Sequence, residues 1–382
     1  MSIELFRMER MQSTWENLVE YDMSESGIRA VTLRDMMGLG FDLEEMLDTP
    51  LGYSQSNGTV ALRERLAALY PGATVEHIEV TNGTSEANYL LALSQLSPGD
   101  SFALEVPNYM QLWGVPRSAG ATVATFHLRP VVGTGWQIDW DEFTSAVRPG
   151  TRLVYVTNPN NPTGSVLSRA DMQRIVSRCE EVGAYLIADE VYQGAELAGP
   201  LTPSFWGMSD RVIVTSGLSK AYGIPGVRIG WIVAPPDVVA HCWTQHDYLT
   251  IGPNKLSDSL ARVAVEPEVR SHLYGRTRAI LTENQPVVDE WIASFGDFLT
   301  YIRPAAAAMA FLKYASDEPS EAVAEWLRVN QSTLVVPGSH LGMEGYLRVW
   351  TGGKPEYLAE GLRRVGVGLE ALRGGELTGA TA

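Results

Sequence analysis

The stretch Arg152-Leu-Val-Tyr-Val-Thr-Asn-Pro-Asn-Asn-Pro-Thr-Gly164 decides the fold. Its first six residues form a short apolar run that predicts a buried β-strand, and the Asn-Pro pair after it ends the strand. A helical pattern over residues 171–182 and a second apolar run over 184–188 come next. A strand, a helix and a strand in succession are typical of parallel sheets in α/β proteins. In such sheets ligands bind beyond the carboxyl ends of the strands, so polar residues that follow a strand are candidate site residues.

The same alternation extends along the middle of the chain, whereas the two ends differ from it. Further strands are predicted at 77–81, 101–106, 211–215 and 228–233, and a helix at 86–96. We therefore expect a three-layer α/β domain with a mostly parallel sheet over residues 49–268. Toward the C-terminus, helices are predicted at 269–295 and 357–372, with short strands at 298–302, 310–314, 333–336 and 346–350. These elements predict a smaller α+β domain built from residues 1–48 and 269–382, with a frayed tail from residue 374.

The composition argues against several kinds of protein. The 382 residues include 29 Lys+Arg and 45 Asp+Glu, which gives a formal net charge of −16 at pH 7. This acidity argues against nucleic acid and anionic membranes as partners, because both bind basic surfaces. The two cysteines and six histidines show no metal-binding spacing, so no metal is expected. The chain has no run of ~20 apolar residues and no secretory signal, so we expect a cytoplasmic protein.

Two charged residues follow predicted strands of the sheet. Lys220 lies in a Gly- and Ser-rich turn after residues 211–215. A partly desolvated lysine there would have a lowered pKa and form a Schiff base, although most lysines are solvated surface residues. Asp189 directly follows residues 184–188. Its carboxylate would pair with the protonated pyridine nitrogen of pyridoxal phosphate, or would cap the helix that follows.

Three further polar residues fit the same chemistry. Tyr192 and Asn161 would donate hydrogen bonds to the phenolic oxygen of that ring; a core tyrosine and an ordinary turn asparagine are the alternatives. Arg348 is a charge within the apolar run 346–350, which is costly without a partner. It would hold a substrate carboxylate through two hydrogen bonds, or pair with an internal Asp or Glu.

A phosphate site is predicted where the strand 77–81 turns into a helix. The backbone N–H groups at the start of this helix and the hydroxyls of Thr84 and Ser85 suit a phosphate, and the same pattern is compatible with a capping box. Arg228 follows Lys220 by eight residues, where its guanidinium would clamp that phosphate.

In combination, these motifs resemble the class I/II aminotransferases, a family of fold-type I pyridoxal-phosphate enzymes. The resemblance is carried by NPTG, DxxYQG, SxLSK, an arginine eight residues after that lysine and a late LRV arginine, over about residues 51–373. It implies the aspartate-aminotransferase-like fold, pyridoxal 5'-phosphate as cofactor and a homodimer with shared active sites. It also implies that Lys220 binds the cofactor and shuttles the proton, and that Arg348 binds the substrate α-carboxylate.

The resemblance further implies the contacts of the cofactor. Its ring would meet Asp189 at the pyridine nitrogen, Asn161 and Tyr192 at the phenolic oxygen, and Tyr109 on one face. Its phosphate would lie among Gly83, Thr84, Ser85, Ser219 and Arg228. Asn161 would also border the substrate. Tyr53 matches a tyrosine that reaches the phosphate of the partner subunit.

Two segments depart from the family pattern. Gly217 replaces a serine often found three residues before the lysine, and Ser216 or Ser219 would substitute for it. Residues 21–28, Tyr-Asp-Met-Ser-Glu-Ser-Gly-Ile, replace a Gly-Pro-Asp type of sequence near the substrate. This SESGI stretch is similar to a branch that includes capreomycidine synthase-like enzymes, which catalyse elimination and cyclisation; otherwise it is a loop variant of a true aminotransferase. Gly27 would lie near the substrate carboxylate.

Three functions follow from these patterns. An aminotransferase would move the amino group of an L-amino acid to a 2-oxo acid, and a lyase or cyclase would use the same lysine on a specialised amino acid. A non-catalytic regulator that needs the cofactor is disfavoured by the acidic charge and by the lack of a DNA-binding pattern. We expect the aminotransferase. The side-chain pocket is predicted from Glu25, Ser26, Arg29, Trp113 and Tyr248, where Glu25 would favour a basic substrate and Arg29 an acidic one.

Overall fold

The computed structural model describes residues 3–131 and 133–377 of the chain. Its strands are β1 Tyr21–Asp22, β2 Ile78–Thr81, β3 Ser101–Val106, β4 Thr122–Val131, β5 Gly135–Ile138, β6 Thr151–Thr157, β7 Tyr185–Asp189, β8 Val212–Gly217, β9 Gly230–Val233, β10 Leu299–Tyr301, β11 Met309–Tyr314, β12 Thr333–Leu334, β13 Val336–Pro337 and β14 Tyr346–Trp350. Its helices are α1 Arg7–Trp15, α2 Leu33–Gly38, α3 Leu43–Leu47, α4 Val60–Ala67, α5 Thr84–Gln95, α6 Gln111–Ser118, α7 Trp140–Ala146, α8 Arg169–Val182, α9 Pro236–His246, α10 Lys255–Ala264, α11 Pro267–Ala293, α12 Ser320–Gln331 and α13 Pro355–Arg373.

The large sheet has the strand order β2-β9-β8-β7-β6-β3-β4-β5. The neighbouring strands β4, β3, β6, β7 and β8 are parallel, whereas β9 pairs antiparallel with β8 and β2, and β5 with β4. Alternate residues of β6 belong to two hydrophobic clusters: Val154 and Val156 to one, Leu153 and Tyr155 to the other. Because successive side chains of a strand point to opposite faces, the sheet is covered on both faces. The prediction of a mostly parallel sheet in a layered α/β fold is confirmed.

The connection through α8 brings two strand ends together. Ser168 begins the helix, since its Oγ accepts the N–H of Asp171 at 3.1 Å. Gly183 ends it with a φ of 77°, the left-handed conformation that glycine adopts without strain. The chain then returns as β7, parallel to β6, with Thr157 paired to Asp189. Both strands therefore end at the same edge of the sheet.

A separate antiparallel sheet has the strand order β10-β11-β14-β13. Its inner face packs with α11, α12 and α13 in a second core. The segment 21–28 lies next to this sheet: β1 pairs with β12 in a separate two-stranded sheet, and the Trp350 N–H of β14 donates to the Met23 carbonyl at 2.8 Å. This segment therefore lies beside β14, the strand that carries Arg348.

The sequence prediction misses two strands of the large sheet, β4 and β5. They lie at one edge of the sheet, where several of their side chains are exposed, so they lack the continuous apolar run of β6 to β8. The N-terminal residues Met36 and Phe41 pack into the core of the large sheet. The domain division at 48/49 and 268/269 stays a prediction. Most of the predicted frayed tail lies beyond residue 377, outside the described residues. None of the helices in the described part of the chain is long and apolar enough to span a bilayer.

Candidate active site

A cavity of about 330 Å³ lies where β6, β7 and β8 reach their carboxyl ends. Predicted site residues that line it are Thr84, Ser85, Tyr109, Asn161, Asp189, Tyr192, Ser219, Lys220, Arg228 and Arg348. Glu25 and Ser26, predicted for the side-chain pocket, line it as well. Residues predicted from separate motifs therefore share one cavity, at the position where ligands bind in parallel sheets.

Lys220 follows β8 and its amine meets a carboxylate. Its Nζ lies 3.0 Å from Glu25 Oε1, which also accepts the Gly27 N–H at 2.9 Å. Burial alone lowers the pKa of Lys220, but the charges of Glu25 and Tyr192 and the hydrogen bond to Glu25 outweigh it, and the pKa is raised. The expectation of a lowered lysine pKa is therefore wrong, because it left out Glu25. The Lys220 charge in turn is the main reason that the pKa of Glu25 falls to about 2.

Asp189 ends β7 and accepts three hydrogen bonds. Its Oδ2 accepts from Asn88 Nδ2 at 2.9 Å and from Tyr155 Oη at 3.0 Å. Its Oδ1 accepts the N–H of Val191 at 3.1 Å in a turn, and because the described chain has no helix between β7 and β8, the alternative of a helix N-cap is wrong. Burial raises the pKa of Asp189, and these donors oppose the rise. A buried carboxylate that lines a cavity and is held by donors suits a cationic ring nitrogen.

Arg348 is buried within β14, with 1% of its surface exposed. Its Nη1 donates to Asn161 Oδ1 at 2.9 Å and its Nη2 donates to the Ser24 carbonyl, while its Nε has no partner among the described residues. No Asp or Glu in the described part of the chain forms an ion pair with it, so the internal salt bridge is not what holds it. Burial lowers the pKa of Arg348. A buried guanidinium with only neutral partners favours an anionic ligand.

Two tyrosines of the cavity are held by the N-terminal part of the chain. Tyr192 Oη donates to Ser26 Oγ at 3.0 Å. Tyr109 Oη donates to Glu9 Oε1 at 2.7 Å, and its ring packs edge-on against Phe6 with 4.9 Å between the ring centroids. The positions of both rings thus depend on residues that the sequence prediction did not connect to them.

The start of α5 has features that fit a phosphate. The Thr84 hydroxyl is buried and has no hydrogen-bond partner among the described residues. The Arg228 guanidinium packs on Gly83, where a Cβ would overlap it, and donates to the Pro225 carbonyl at 3.1 Å. Gly83 itself does not line the cavity. A helix N-terminus, an unpaired hydroxyl and a guanidinium together suit a phosphate group.

Gly217 departs from the family pattern because Thr84 fills the space that a side chain would need. A Cβ on Gly217 would lie 2.5 Å from Thr84 Oγ1 and 3.0 Å from the Ile229 carbonyl oxygen. Of the two serines expected to substitute, Ser219 lines the cavity and Ser216 does not. Thr84 thus brings a hydroxyl close to the position from which the missing serine would start.

Several predicted residues lie outside the cavity. Gly27 does not line it, although its carbonyl accepts a hydrogen bond from Trp350 Nε1. Tyr53 is 92% exposed and Tyr248 86% exposed. Trp113 lines a second cavity of about 500 Å³, and Arg29 lines neither. Tyr53, Tyr248, Trp113 and Arg29 are not brought together with Lys220, whereas Gly27 lies beside it, since a Cβ on Gly27 would lie 3.4 Å from Lys220 Cδ.

Other residues of the cavity were not predicted. They are Met8, Glu9, Gln12, Glu16, Asn88, Tyr155, Thr157, Val191 and Pro225. Asn88 lies one helical turn after Thr84, so its place beside the predicted phosphate site could have been inferred from the sequence. Met8, Gln12 and Glu16 have the spacing of one helix face, which could have grouped them but not placed them in the cavity. No group of three or more His, Cys, Asp and Glu side chains in the described residues could hold a metal ion.

The family model described as aminotransferase class I and II matches residues 33–365, and the chain belongs to this family. Pyridoxal 5'-phosphate is the cofactor that this membership implies, and the unpaired Thr84 hydroxyl and Arg348 Nε fit it and its substrate. Helix α1 and the segment 21–28 lie outside the matched residues. The predicted family, fold and cofactor are confirmed.

Both aminotransferases and cyclases are similar to this chain. Capreomycidine synthase of Streptomyces vinaceus is 30% identical over 341 residues, which covers 86% of this chain and 84% of that protein. The crystal structure of a PLP-dependent aminotransferase from Streptococcus suis 89-1591 has a TM-score of 0.90 and 32% identity, and the match covers 97% of this chain and 99% of that one. The structure of the PLP-dependent cyclase OrfR has a TM-score of 0.87 and 25% identity, with 98% of each chain covered.

Proposed function

We propose that the protein is a pyridoxal-phosphate-dependent aminotransferase that moves the amino group of an L-amino acid to a 2-oxo acid. The observation that supports this is the meeting of Lys220, Asp189 and Arg348 in one cavity. They offer an amine, a carboxylate and a guanidinium whose Nε is unpaired. An amino acid bound at its carboxylate by Arg348 has its Cα in the same cavity as the amine.

The three residues divide the chemistry between them. Pyridoxal phosphate, when bound, accepts the electrons of the bond that breaks at the substrate Cα. Asp189 places a negative charge at the ring nitrogen, and Arg348 binds the substrate carboxylate and so fixes the direction of the Cα–H bond. The Lys220 amine would take the proton from the substrate Cα as general base and carry it for the later return step.

The other lining residues hold the cofactor in this proposal. Asn161 uses its Oδ1 to accept from Arg348 and so keeps its Nδ2 donor for the ring oxygen, which Tyr192 also contacts. Tyr109 covers one face of the ring. The phosphate is held by the N–H groups at the start of α5 together with Thr84, Ser85, Ser219 and Arg228.

The test uses the purified protein loaded with pyridoxal phosphate and single L-amino acids added in turn. One of these amino acids should act as amino donor. Its addition should remove the visible absorbance of the lysine-bound cofactor and form one pyridoxamine phosphate per active site. Lys220→Ala should abolish this conversion, Asp189→Ala should slow it by at least about a hundredfold, and Lys313→Ala, an exposed lysine, should leave it unchanged. Substantial conversion by Lys220→Ala would refute the assignment.

A homodimer with shared sites is part of the proposal. The loop that carries Tyr53 packs on a second loop, since Ser54 Oγ donates to the Pro253 carbonyl at 3.1 Å. Together these loops expose large apolar side chains: Leu51 is 83%, Tyr53 92% and Tyr248 86% exposed. Exposed apolar surface of this kind is typical of a protein interface. In a dimer formed through this surface, Tyr53 would reach the cofactor phosphate in the partner subunit. We further propose that the dimer is cytoplasmic.

A pyridoxal-phosphate lyase or cyclase is the second candidate. The observation that favours it is the pair between Lys220 and Glu25, because a protonated amine can donate a proton to a leaving group. The similarity to capreomycidine synthase agrees with this candidate. In the same assay it predicts that the amino acid is consumed while no pyridoxamine phosphate forms and no 2-oxo acid is needed.

A further inference from the structure

Helix α1 forms one wall of the candidate active site. Met8, Glu9, Gln12 and Glu16 line the cavity, at spacings that place them on one side of a helix. Glu25 adds a third carboxylate to the same cavity. We call Glu9, Glu16 and Glu25 the acidic wall.

Two of the three carboxylates of the acidic wall, those of Glu9 and Glu16, have no ion-pair partner among the described residues. Burial raises the pKa of Glu16, and the charges of Asp22, Glu25 and Glu9 add to the rise, so these groups act on one another. Among the described residues no Lys, Arg or His forms an ion pair with Glu9 or Glu16, and Glu25 pairs with Lys220. Uncompensated negative charge in a partly enclosed site attracts a cation.

The cations that line the cavity are already engaged elsewhere. Within the described residues they are Lys220, Arg228 and Arg348. Arg228 lies with the phosphate features of α5, Arg348 faces the substrate carboxylate, and Lys220 is the reacting amine. No lining cation of this chain is left to bind a second carboxylate, so its own part of the site disfavours aspartate and glutamate as substrates.

A separate observation joins the acidic wall to the group that binds the substrate carboxylate. Arg348 is 1% exposed and its Nε has no hydrogen-bond partner in the described part of the chain, so an anionic ligand would stabilise the buried guanidinium. The Ser24 carbonyl accepts from Arg348 Nη2 and also from Gln12 Nε2, the latter at 2.9 Å. Arg348 and α1 therefore both contact the Ser24 carbonyl, so a substrate held by Arg348 lies close to α1.

We propose that the substrate is an L-amino acid with a cationic side chain, a guanidinium or ammonium group, which the acidic wall binds. The inference rests on the proposed function, because it takes Arg348 as the group that binds the α-carboxylate. A cation at the wall also acts on the pair between Glu25 and Lys220. It stabilises the Glu25 carboxylate and repels the ammonium, so it lowers the pKa of Lys220 and readies the amine to take a proton.

The test compares L-arginine with L-citrulline, which has the same chain length and shape but no side-chain charge. Isothermal titration calorimetry of the cofactor-loaded protein gives the dissociation constant of each. Arginine should bind at least about tenfold more tightly than citrulline, as expected for close charge pairs in a site. Raising the salt concentration should weaken arginine binding and leave citrulline binding nearly unchanged.

A matched pair of variants tests the wall itself. Glu16→Gln should weaken arginine binding about three- to fivefold, the range for a partly exposed charge pair, without an effect on citrulline. Glu283→Gln removes the same charge from an exposed position of α11 and should change neither. The dissociation constant is read separately from turnover, so a structural defect that lowers activity alone does not mimic the effect.

The outcomes separate this inference from the proposed function. If citrulline or L-norleucine binds as tightly as arginine, or if no amino acid binds, the cationic substrate is refuted. If arginine binds with the predicted charge preference but forms no pyridoxamine phosphate, the substrate class stands and the aminotransferase proposal fails. If L-aspartate binds more tightly than arginine, the assignment of the acidic wall is wrong.

Discussion

The Thr84 side chain occupies the space that a side chain at position 217 would need, and adding a single carbon to Gly217 tests this. Gly217 ends β8 and pairs with Gly230 of β9. In Gly217→Ala the new Cβ would lie 2.5 Å from Thr84 Oγ1, 3.0 Å from the Ile229 carbonyl oxygen and 3.2 Å from the Gly230 Cα. Two of these atoms are backbone atoms at the start of β9 and move only if the sheet shifts, whereas Thr84 Oγ1 is a side-chain atom on the first turn of α5.

The cost follows from these distances. Overpacking of a tight core by one carbon costs about 1–3 kcal/mol. Replacing glycine by alanine at a tolerant position stabilises by about 0.4–1 kcal/mol through the unfolded chain. We therefore expect Gly217→Ala to lower the free energy of unfolding by about 1–2 kcal/mol. The shortest of the three contacts is the one to Thr84, and it dominates this cost.

A second substitution isolates that contact. Thr84→Ala removes Oγ1, which has no partner in the described residues, so no hydrogen bond is lost. In that background the remaining contacts require shifts of only a few tenths of an ångström, and Gly217→Ala should cost at least about 1 kcal/mol less than in the natural chain. Urea unfolding of the cofactor-free proteins, followed by tryptophan fluorescence, measures both costs.

The control is Gly226→Ala, because a Cβ on Gly226 would meet nothing within 4 Å. It should leave the free energy of unfolding unchanged or raise it by up to about 1 kcal/mol, because only the effect on the unfolded chain remains. A Gly217→Ala protein as stable as the natural one would refute the packing argument. An equal cost in the presence and absence of the Thr84 side chain would show that the strain lies with β9 and not with Thr84.

Two further predictions concern other parts of the molecule. Sedimentation velocity should give twice the 41.8 kDa of one chain, and Leu51→Lys should shift the protein toward the single-chain mass; a natural chain that sediments as a monomer contradicts the dimer. His246 is buried between Glu79 Oε1 at 2.8 Å and Glu86 Oε2 at 3.2 Å. Burial lowers the pKa of His246, but the hydrogen bonds and charges of these two carboxylates outweigh it and raise the pKa from 6.5 to about 9. The stability that these carboxylates give to the imidazolium is lost as the pH rises from 6.5 through 9, and because burial raises the pKa of Glu79 to about 7, both charges of that pair are present mainly between pH 7 and 9. His246→Gln should flatten the unfolding free energy between these pH values, and an unchanged slope would contradict the role of the imidazolium.

The strands that the sequence predicts best are those whose environment is uniform along their length. The run 101–106 is found as β3 and the run 346–350 as β14, with the predicted limits. In both, almost every residue is buried, so the apolar run marks the strand directly. Strand β4 has Arg129 and Pro130 near its end and several half-exposed residues, because it lies near the edge of the sheet. Its pattern therefore carries no clear period.

The candidate site divides in a similar way. Lys220 and Asp189 could be predicted because each directly follows a strand, and the strand fixes where the residue lies. The partner of Lys220 could not, since Glu25 reaches it only after the segment 21–28 has paired with β12 and packed beside β14. Because Glu25 determines whether the pKa of Lys220 rises or falls, the pKa shift predicted from the sequence has the wrong direction.

The two departures from the family pattern lie at different ends of the cavity and have different consequences. At the phosphate end, the hydroxyl lost at Gly217 is offset by the unpaired hydroxyl of Thr84, so the chemistry of that end is retained. At the substrate end, the segment 21–28 introduces Glu25 beside Lys220, and nothing in the described residues cancels the charge of Glu9 and Glu16. Phosphate-binding features at one end and acidic side chains at the other fit a site that keeps the cofactor of the family and selects its own substrate. Substrate choice should therefore follow α1 and the segment 21–28, and substitutions there should change which amino acid binds without changing the affinity for pyridoxal phosphate.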